Sequence, residues 1–424
     1  MIQRDMCLSS GEVIEVLSPG ILNLDAGPDF YNARVRIGGV EWIGNVEIHI
    51  KASDWYRHNH HEDSVYDSVI LHVVAIDDRK VFRSDGSVIS QLVLTFPEQF
   101  FSLYELLSRE IADVKCAPWL RLIPKLVSES WFEALSVERM QQKSRRILEI
   151  TGRLNGDWET ATFISFARAL GFGLNSEPFE MLARSIPLNY LMRHSDNLLQ
   201  IEALLFGQAG MLDTSIHIFD EYYQTLCREY FFLARKYNLR PMRRDLWKYA
   251  RTRPQNFPHR RIALLASALY GGFNLKSKLW ETKGDISQIE KLFDWRLEGY
   301  WLNHFDFDCE GVCGGTVLGK GSIYLLAINF AAPMIYSMAQ AQDNPDAAEY
   351  ALDLWSGLPA EENRFIANWK SKGVDCHNAF RSQALLQLRK EYCDRTKCLD
   401  CRIGNWLLRD RINHTSHQIG FSCL

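Results

Sequence analysis

The feature that most constrains this chain is a change of hydrophobic period near residue 97. Before it, apolar residues alternate with polar ones in short runs at 13–17, 33–37, 40–50, 69–76 and 88–96. A period of two puts alternate side chains on one face, so these runs predict strands. Gly38-Gly39 and Asp85-Gly86 supply hairpin turns, because such pairs accept the positive φ angles these turns demand. After residue 97 apolar residues recur at intervals of three and four, the pattern of amphipathic helices. FFSLYELLSREIADV is the first, and SESWFEALSVERMQQKSRRILEITGRL is a long one that Ser128 or Ser130 is placed to start. An apolar helix is expected from Ile323 to Met338, and AFRSQALLQLRKEYC is the last clear helix. The pattern predicts an α+β protein, with a mainly β domain over residues 1–115 and a large α-helical domain over 116–424.

Composition narrows the class. A chain of 424 residues exceeds the ~250–300 residues one core sustains, which agrees with more than one domain. Hydrophobic content of 47% with 24% charged residues is ordinary for a globular protein. A net charge of −4 excludes an overall polycation, though a local basic groove is compatible with it. The first residues, MIQRDMCLSSGEVIEVL, lack the apolar core of a secretory signal, and no apolar run reaches the ~20 residues that span a bilayer. Ten scattered cysteines do not make a disulfide framework, so a reducing, cytoplasmic setting is expected.

The chemistry concentrates between Pro19 and Val74. That stretch holds five of the twelve histidines, His49, His58, His60, His61 and His72, among Asp25, Asp29, Glu47, Asp54, Glu62, Asp63 and Asp67. Carboxylates and imidazoles threaded through strand alternation are the residue types of a metal or acid–base site. Alternation places Glu47, His49 and Lys51 on one strand face. Residues 53–68 are expected to form a loop or short helix, with Ser53 or Asp54 capping its start. His72, inside VILHVV, reads as a buried core histidine.

The segments GPDFYNARV, GNVEIHIKASDWYRHNHHEDSVYDSVILHVV, EALLFGQAGML, RPQNFPHRRIA, LPAEENRFI and SQALLQLRKEYCDRTKCLDC resemble a bacterial family catalogued as domain of unknown function 2851. The resemblance covers essentially the whole chain and implies no activity. A second resemblance is local. Pro28-Asp29, seventeen residues, then Glu47-Ile48-His49 is similar to the site spacing of PD-(D/E)XK nucleases. It implies that Asp29 and Glu47 hold Mg or Mn, which lowers the pKa of a bound water and stabilises charge on a phosphate. His49 stands where those enzymes usually carry lysine. Lys51 is placed to substitute, and Glu12 or Glu15 to supply a further acid. The plain alternative is that Asp29 caps a turn and Glu47 forms an ion pair on an exposed strand.

Three other groups carry candidate chemistry. His58, His60 and Asp63 have the donor types of a Zn or Mn site, or else form a solvated polar loop. Cys393, Cys398 and Cys401 form C-x4-C-x2-C, a spacing suited to Zn or an iron–sulfur cluster. Cys376, Cys309, Cys313, Cys423 and His377 are candidates for the fourth ligand, with Tyr392 and Leu399 as apolar shielding. Arg253, Arg260 and Arg261 in RTRPQNFPHRR, with Phe257 between them, have the make-up of a phosphate-tracking surface, or else satisfy nearby carboxylates.

The leading expectation is a divalent-metal-dependent phosphodiesterase or nuclease-like enzyme acting on DNA or RNA. In it Asp29 and Glu47 bind metal while His49 and Lys51 orient water or phosphate. One alternative is a non-catalytic nucleic-acid-binding or scaffold protein. The other is a metal-dependent hydrolase of a small substrate, centred on His58, His60 and Asp63.

Overall fold

The computed structural model describes residues 6–23, 25–94, 102–105, 107, 114–213, 219–250, 252–311 and 315–409. The fold is α+β, in two compact units: Met1–Glu110 with Asn405–Leu424, and Ile111–Gly404. Residues 405–409 group with the first unit although they follow the second in sequence.

The first unit is built on one mixed sheet. Its strands are β1 (Met6–Cys7), β2 (Val13–Ser18), β3 (Ile21–Leu22), β4 (Phe30–Ile37), β5 (Val40–Lys51), β6 (Val69–Ile76) and β7 (Ser90–Val93). Their order is β1-β2-β4-β5-β6-β7, with β3 paired on β4. Pairing is antiparallel up to β5 and parallel from β5 through β7. Gly38 (φ 55°) and Gly39 (φ 88°) turn β4 into β5 as the sequence predicts. The second expected turn also forms, where the Arg83 and Gly86 N–H groups bond the Ser87 and Arg83 carbonyls.

Each sheet face has its own core. Ile14, Val35, Ile37, Val46, Leu71, Val73 and Leu92 fill one. Ala52, Trp55, Val74, Val81 and Ile89 fill the other. The parallel step from β5 to β6 sends the chain across this second face. That connection, Ala52–Ser68, carries α1 (Asp54–Arg57) and two 3-10 turns, His60–Glu62 and Ser64–Ser68. Trp55 pins it down: the ring is fully buried and its indole N–H donates to the Phe82 carbonyl at 3.1 Å. Neither Ser53 nor Asp54 caps α1. Ser53 donates through its N–H and hydroxyl to Asp78, whereas Asp63 caps the second 3-10 turn by accepting the Val65 N–H.

The second unit is helical. The helix expected over FFSLYELLSREIADV falls largely outside the described residues; its helical residues 102–105 belong to the first unit. The long helix runs Lys125–Arg153 and starts ahead of Ser128, because Pro124 occupies the N-cap position. A proline there costs no intrahelical N–H bond. Asp157, Asn197, Asp220 and Asn363 cap later helices through their side chains. A single core joins Phe163, Phe166, Phe206, Phe293, Phe330, Trp301 and Trp355. Each such ring contributes roughly 2–3 kcal/mol by leaving water. Gly207 lets two helices approach, since a Cβ there would sit 2.1 Å from the Tyr230 ring. The expected helix at Ile323–Met338 is broken by a π turn, Ala327–Ala331. With its flanks it makes one 22-residue stretch, Lys320–Ala341, long and apolar enough to cross a bilayer. It is a core helix here, with 78% of its most apolar window buried.

Candidate metal centre

The site lies beneath the β5–β6 crossover, on the sheet face that carries Glu47. Strand register brings Glu47 beside His72 and His49 beside Val74. Glu47 is buried, and its two oxygens have separate tasks. Oε2 accepts the Asp29 backbone N–H at 3.2 Å, while Oε1 lies 3.5 Å from His49 Nε2 and 3.4 Å from His60 Nε2. Asp29 is held in turn, because its Oδ2 accepts the Ile48 N–H at 2.9 Å.

Two imidazoles, His49 and His60, meet Glu47 Oε1, and a third, His58, joins them through His49. The ligand atoms of His49, His58 and His60 lie within 4.8 Å of one another. His49 Nε2 is 3.1 Å from His58 Nδ1, and His49 Nδ1 is 2.9 Å from Nε2 of the fully buried His72. Asn59 makes the convergence possible. It sits in the left-handed region (φ 61°, ψ 25°), which asparagine tolerates, and so reverses the chain between His58 and His60. Tyr66 stacks on His60 at 3.7 Å between ring centroids, and Trp55 meets His60 edgewise and His72 at a tilt.

Electrostatics prepare the cluster for a cation. Burial first, then the charge of Asp29, pushes the Glu47 carboxyl up to about 7. Burial first, then neighbouring imidazoles, pushes His60 down to about 4 and His72 to about 3, and also lowers His49. His49, His60 and His72 are thus pushed toward the neutral form, the form in which an imidazole binds a metal. A divalent ion among them would reverse the pressure on Glu47. A tetrahedral ion with nitrogen ligands at ~2.0–2.1 Å needs them ~3.3 Å apart; His49 Nε2 and His58 Nδ1, at 3.1 Å, stand near that, and the whole set within 4.8 Å.

The predicted residues divide accordingly. Asp29, Glu47, His49, His58 and His60 come together. Lys51 lies ~13 Å beyond Glu47 and ~7 Å beyond His49 along β5 by strand rise, exposed and within the field of Asp78. Glu12 lies at the other end of the β4–β5 hairpin, its carboxylate beside Gly38 and bonded by the Ser10 hydroxyl. Asp63 caps a turn and reaches His60 only through its field. Sequence reasoning missed Tyr66 and Asn59, and placed His72 in the core without its contact to His49. Histidine at alternate positions of two runs was the available signal.

In the second unit, Arg253 is exposed, but Arg260 and Arg261 are not the phosphate-facing residues expected. Both are buried. The Arg260 guanidinium donates to the Trp301, His304 and Gly315 carbonyls. Arg261 bonds Asn256 and lies over the Phe172 ring. Cys393, Cys398 and Cys401 are near neighbours. Of the proposed fourth ligands, Cys376 and Cys309 have charged groups rather than these thiols about them, and His377 is exposed and bonded to Asp375. Cys313 and Cys423 lie outside the described residues. Leu399 is 46% exposed and shields little.

The model of one family, described as "Protein of unknown function (DUF2851)", matches residues 2–364. No curated protein and no solved structure matches the chain.

Proposed function

The chain belongs to the DUF2851 family, and from the residues of its first unit we propose that it is a metal-dependent hydrolase of phosphate esters. His49, His58, His60 and Glu47 hold one divalent transition ion. The observation that carries this reading is the gathering of the ligand atoms of His49, His58 and His60 within 4.8 Å of one another, with Glu47 Oε1 3.4–3.5 Å from two of them. Imidazole-rich donors suit Zn or Mn better than Mg, whose preference is for oxygen and water. His58 is exposed, so the ion would face solvent on that side and keep a position for water. Such an ion lowers the pKa of that water toward neutrality and polarises a bound phosphate.

Asp29 is a positioning residue in this scheme, since its backbone N–H orients Glu47. The Asp29–Glu47 pairing across β4 and β5 is what supports a phosphodiester, and hence DNA or RNA, as the substrate class. The burial of Arg260 and Arg261 favours the smaller-substrate reading.

The test compares full-length wild type with Glu47→Gln and His60→Ala, loaded with Mn²⁺, Zn²⁺ or Mg²⁺. Substrates are single- and double-stranded DNA, RNA and bis(p-nitrophenyl) phosphate. Metal-dependent turnover reduced about 100-fold or more in both variants is expected. Equal activity in wild type and variants, or none with any metal, overturns the proposal.

A further inference from the structure

The helical unit carries a second constellation, independent of the histidine centre. Three segments bring four cysteines together. Cys393 ends a π-helical turn, Leu388–Cys393, that continues the helix Ala379–Gln387. Such turns insert a residue into a helix and re-aim its last side chains. Cys398 and Cys401 follow in a tight loop. Cys116, far upstream in sequence, completes the group: its thiol lies within the field of Cys398 and Cys401, and Cys393 within the field of all three.

The loop is built to hold this arrangement. Thr396 sits at φ 54°, a left-handed conformation that a branched side chain adopts only under constraint. The constraint comes from Lys115, whose ammonium donates to the Thr396 hydroxyl at 3.0 Å and fastens Cys116 to the loop. Gly404 packs directly on the loop, where a Cβ would lie 2.2 Å from the Cys398 carbonyl oxygen. That contact aims the Ile403 and Gly404 N–H groups at the Cys401 sulfur. Trp131 adds a third donor. The residue is 93% buried, its N–H has no oxygen or nitrogen acceptor among the described residues, and it faces the same sulfur. Three N–H groups thus converge on one sulfur; burial, the larger effect, raises its thiol above the ordinary value, and these donors oppose that.

We propose that Cys116, Cys393, Cys398 and Cys401 are the four thiolate ligands of a metal centre in the helical unit, and that the group they hold is an iron–sulfur cluster. C-x4-C-x2-C with a distant fourth cysteine is a spacing such clusters use. A lone zinc ion, with Zn–S near ~2.3 Å, needs its sulfurs ~3.8 Å apart. Among the described residues, the ligand atoms of His49, His58 and His60 gather within 4.8 Å of one another, and no three of these sulfurs are so grouped. The centre ties the segment before the helix Lys125–Arg153 to the end of the unit.

Full-length protein purified without oxygen gives the test. Iron and acid-labile sulfide in comparable amounts, with visible absorption, are expected in wild type. Both should be lost at least fivefold in Cys116→Ser and Cys398→Ser, yet kept in Cys376→Ser, a buried cysteine outside the group. Folding of the variants is read by circular dichroism. Alkylation of wild type covers the case where they do not fold: the four thiols should be protected until the metal is removed, while exposed Cys7 and Cys309 react at once. One zinc per chain, lost in Cys116→Ser, retains the four ligands and overturns the cluster. No metal with four freely alkylated thiols, or metal undiminished in folded Cys116→Ser, overturns the proposal.

Discussion

His49 and His72 share a 2.9 Å contact between Nδ1 and Nε2, and Nδ1 of His72 has no hydrogen-bond partner among the described residues. A buried, neutral His72 therefore fixes which nitrogen of His49 faces the site, as a carboxylate or carbonyl does behind many metal-bound histidines. Replacing His72 with Phe keeps the bulk and removes the contact. Affinity for Zn²⁺ or Mn²⁺, measured by isothermal titration, is expected to fall about 10–100-fold. An unchanged affinity would show that His72 only packs.

Glu47 makes metal binding depend on pH. Its carboxyl, raised to about 7, holds a proton that a cation must displace. Affinity should rise about tenfold per pH unit below 7 and level off above it. Glu47→Gln should bind weakly, with that slope gone. Titrations at about pH 6 and pH 8 decide the matter, and equal wild-type affinities at both would refute it.

Asn59 is the pivot of the histidine turn. Asn59→Gly accepts the same φ without strain and should change stability by only a few tenths of a kcal/mol. Asn59→Val meets the steric penalty of the left-handed region, about 1–2 kcal/mol. It should also separate His58 from His60 and weaken metal binding. Thermal melts with and without Zn²⁺ read both effects, and identical behaviour of the two variants would count against the pivot.

Glu202 gives the helical unit a pH dependence of its own. It is buried, and burial raises its carboxyl to about 7 despite bonds from Tyr222 and Trp301. The folded state thus binds the proton more tightly than the unfolded chain. Its contribution is complete below about pH 4.5 and is lost as pH rises toward 7, on the order of 3 kcal/mol in all. Glu202→Gln keeps an acceptor for Tyr222 without the charge, so it should flatten that decline. Denaturant titrations from about pH 5 to pH 8 measure it, and parallel wild-type and variant curves would exclude Glu202 as the cause.

What the sequence reveals here follows from how local each interaction is. The strands, the Gly38-Gly39 turn and the shared face of Glu47 and His49 are set by neighbours in the chain, and alternation displays them. The contact of His49 with His72 depends on the register between two strands separated by a crossover, which no short window contains. Arg260 and Arg261 read as surface because arginine is rarely buried. Only the fold shows the carbonyls of Trp301, His304 and Gly315 waiting for Arg260. Cys116 was equally hidden, since spacing motifs are visible only where ligands cluster in sequence.

The crossover from Ala52 to Ser68 has a bearing on how the first unit comes to be folded. Parallel strand pairs are slow to form when their connection is long, because the chain must search before contacts compensate for the lost freedom. Here one short connection delivers both the strand pair and the donor set, Glu47 and His49 at its start, His58 and His60 within it, and His72 just beyond. An ion captured by these side chains would clamp the ends of that connection, shortening the search for β6. Availability of metal during synthesis would then govern how quickly this sheet assembles, as well as what the finished site can do.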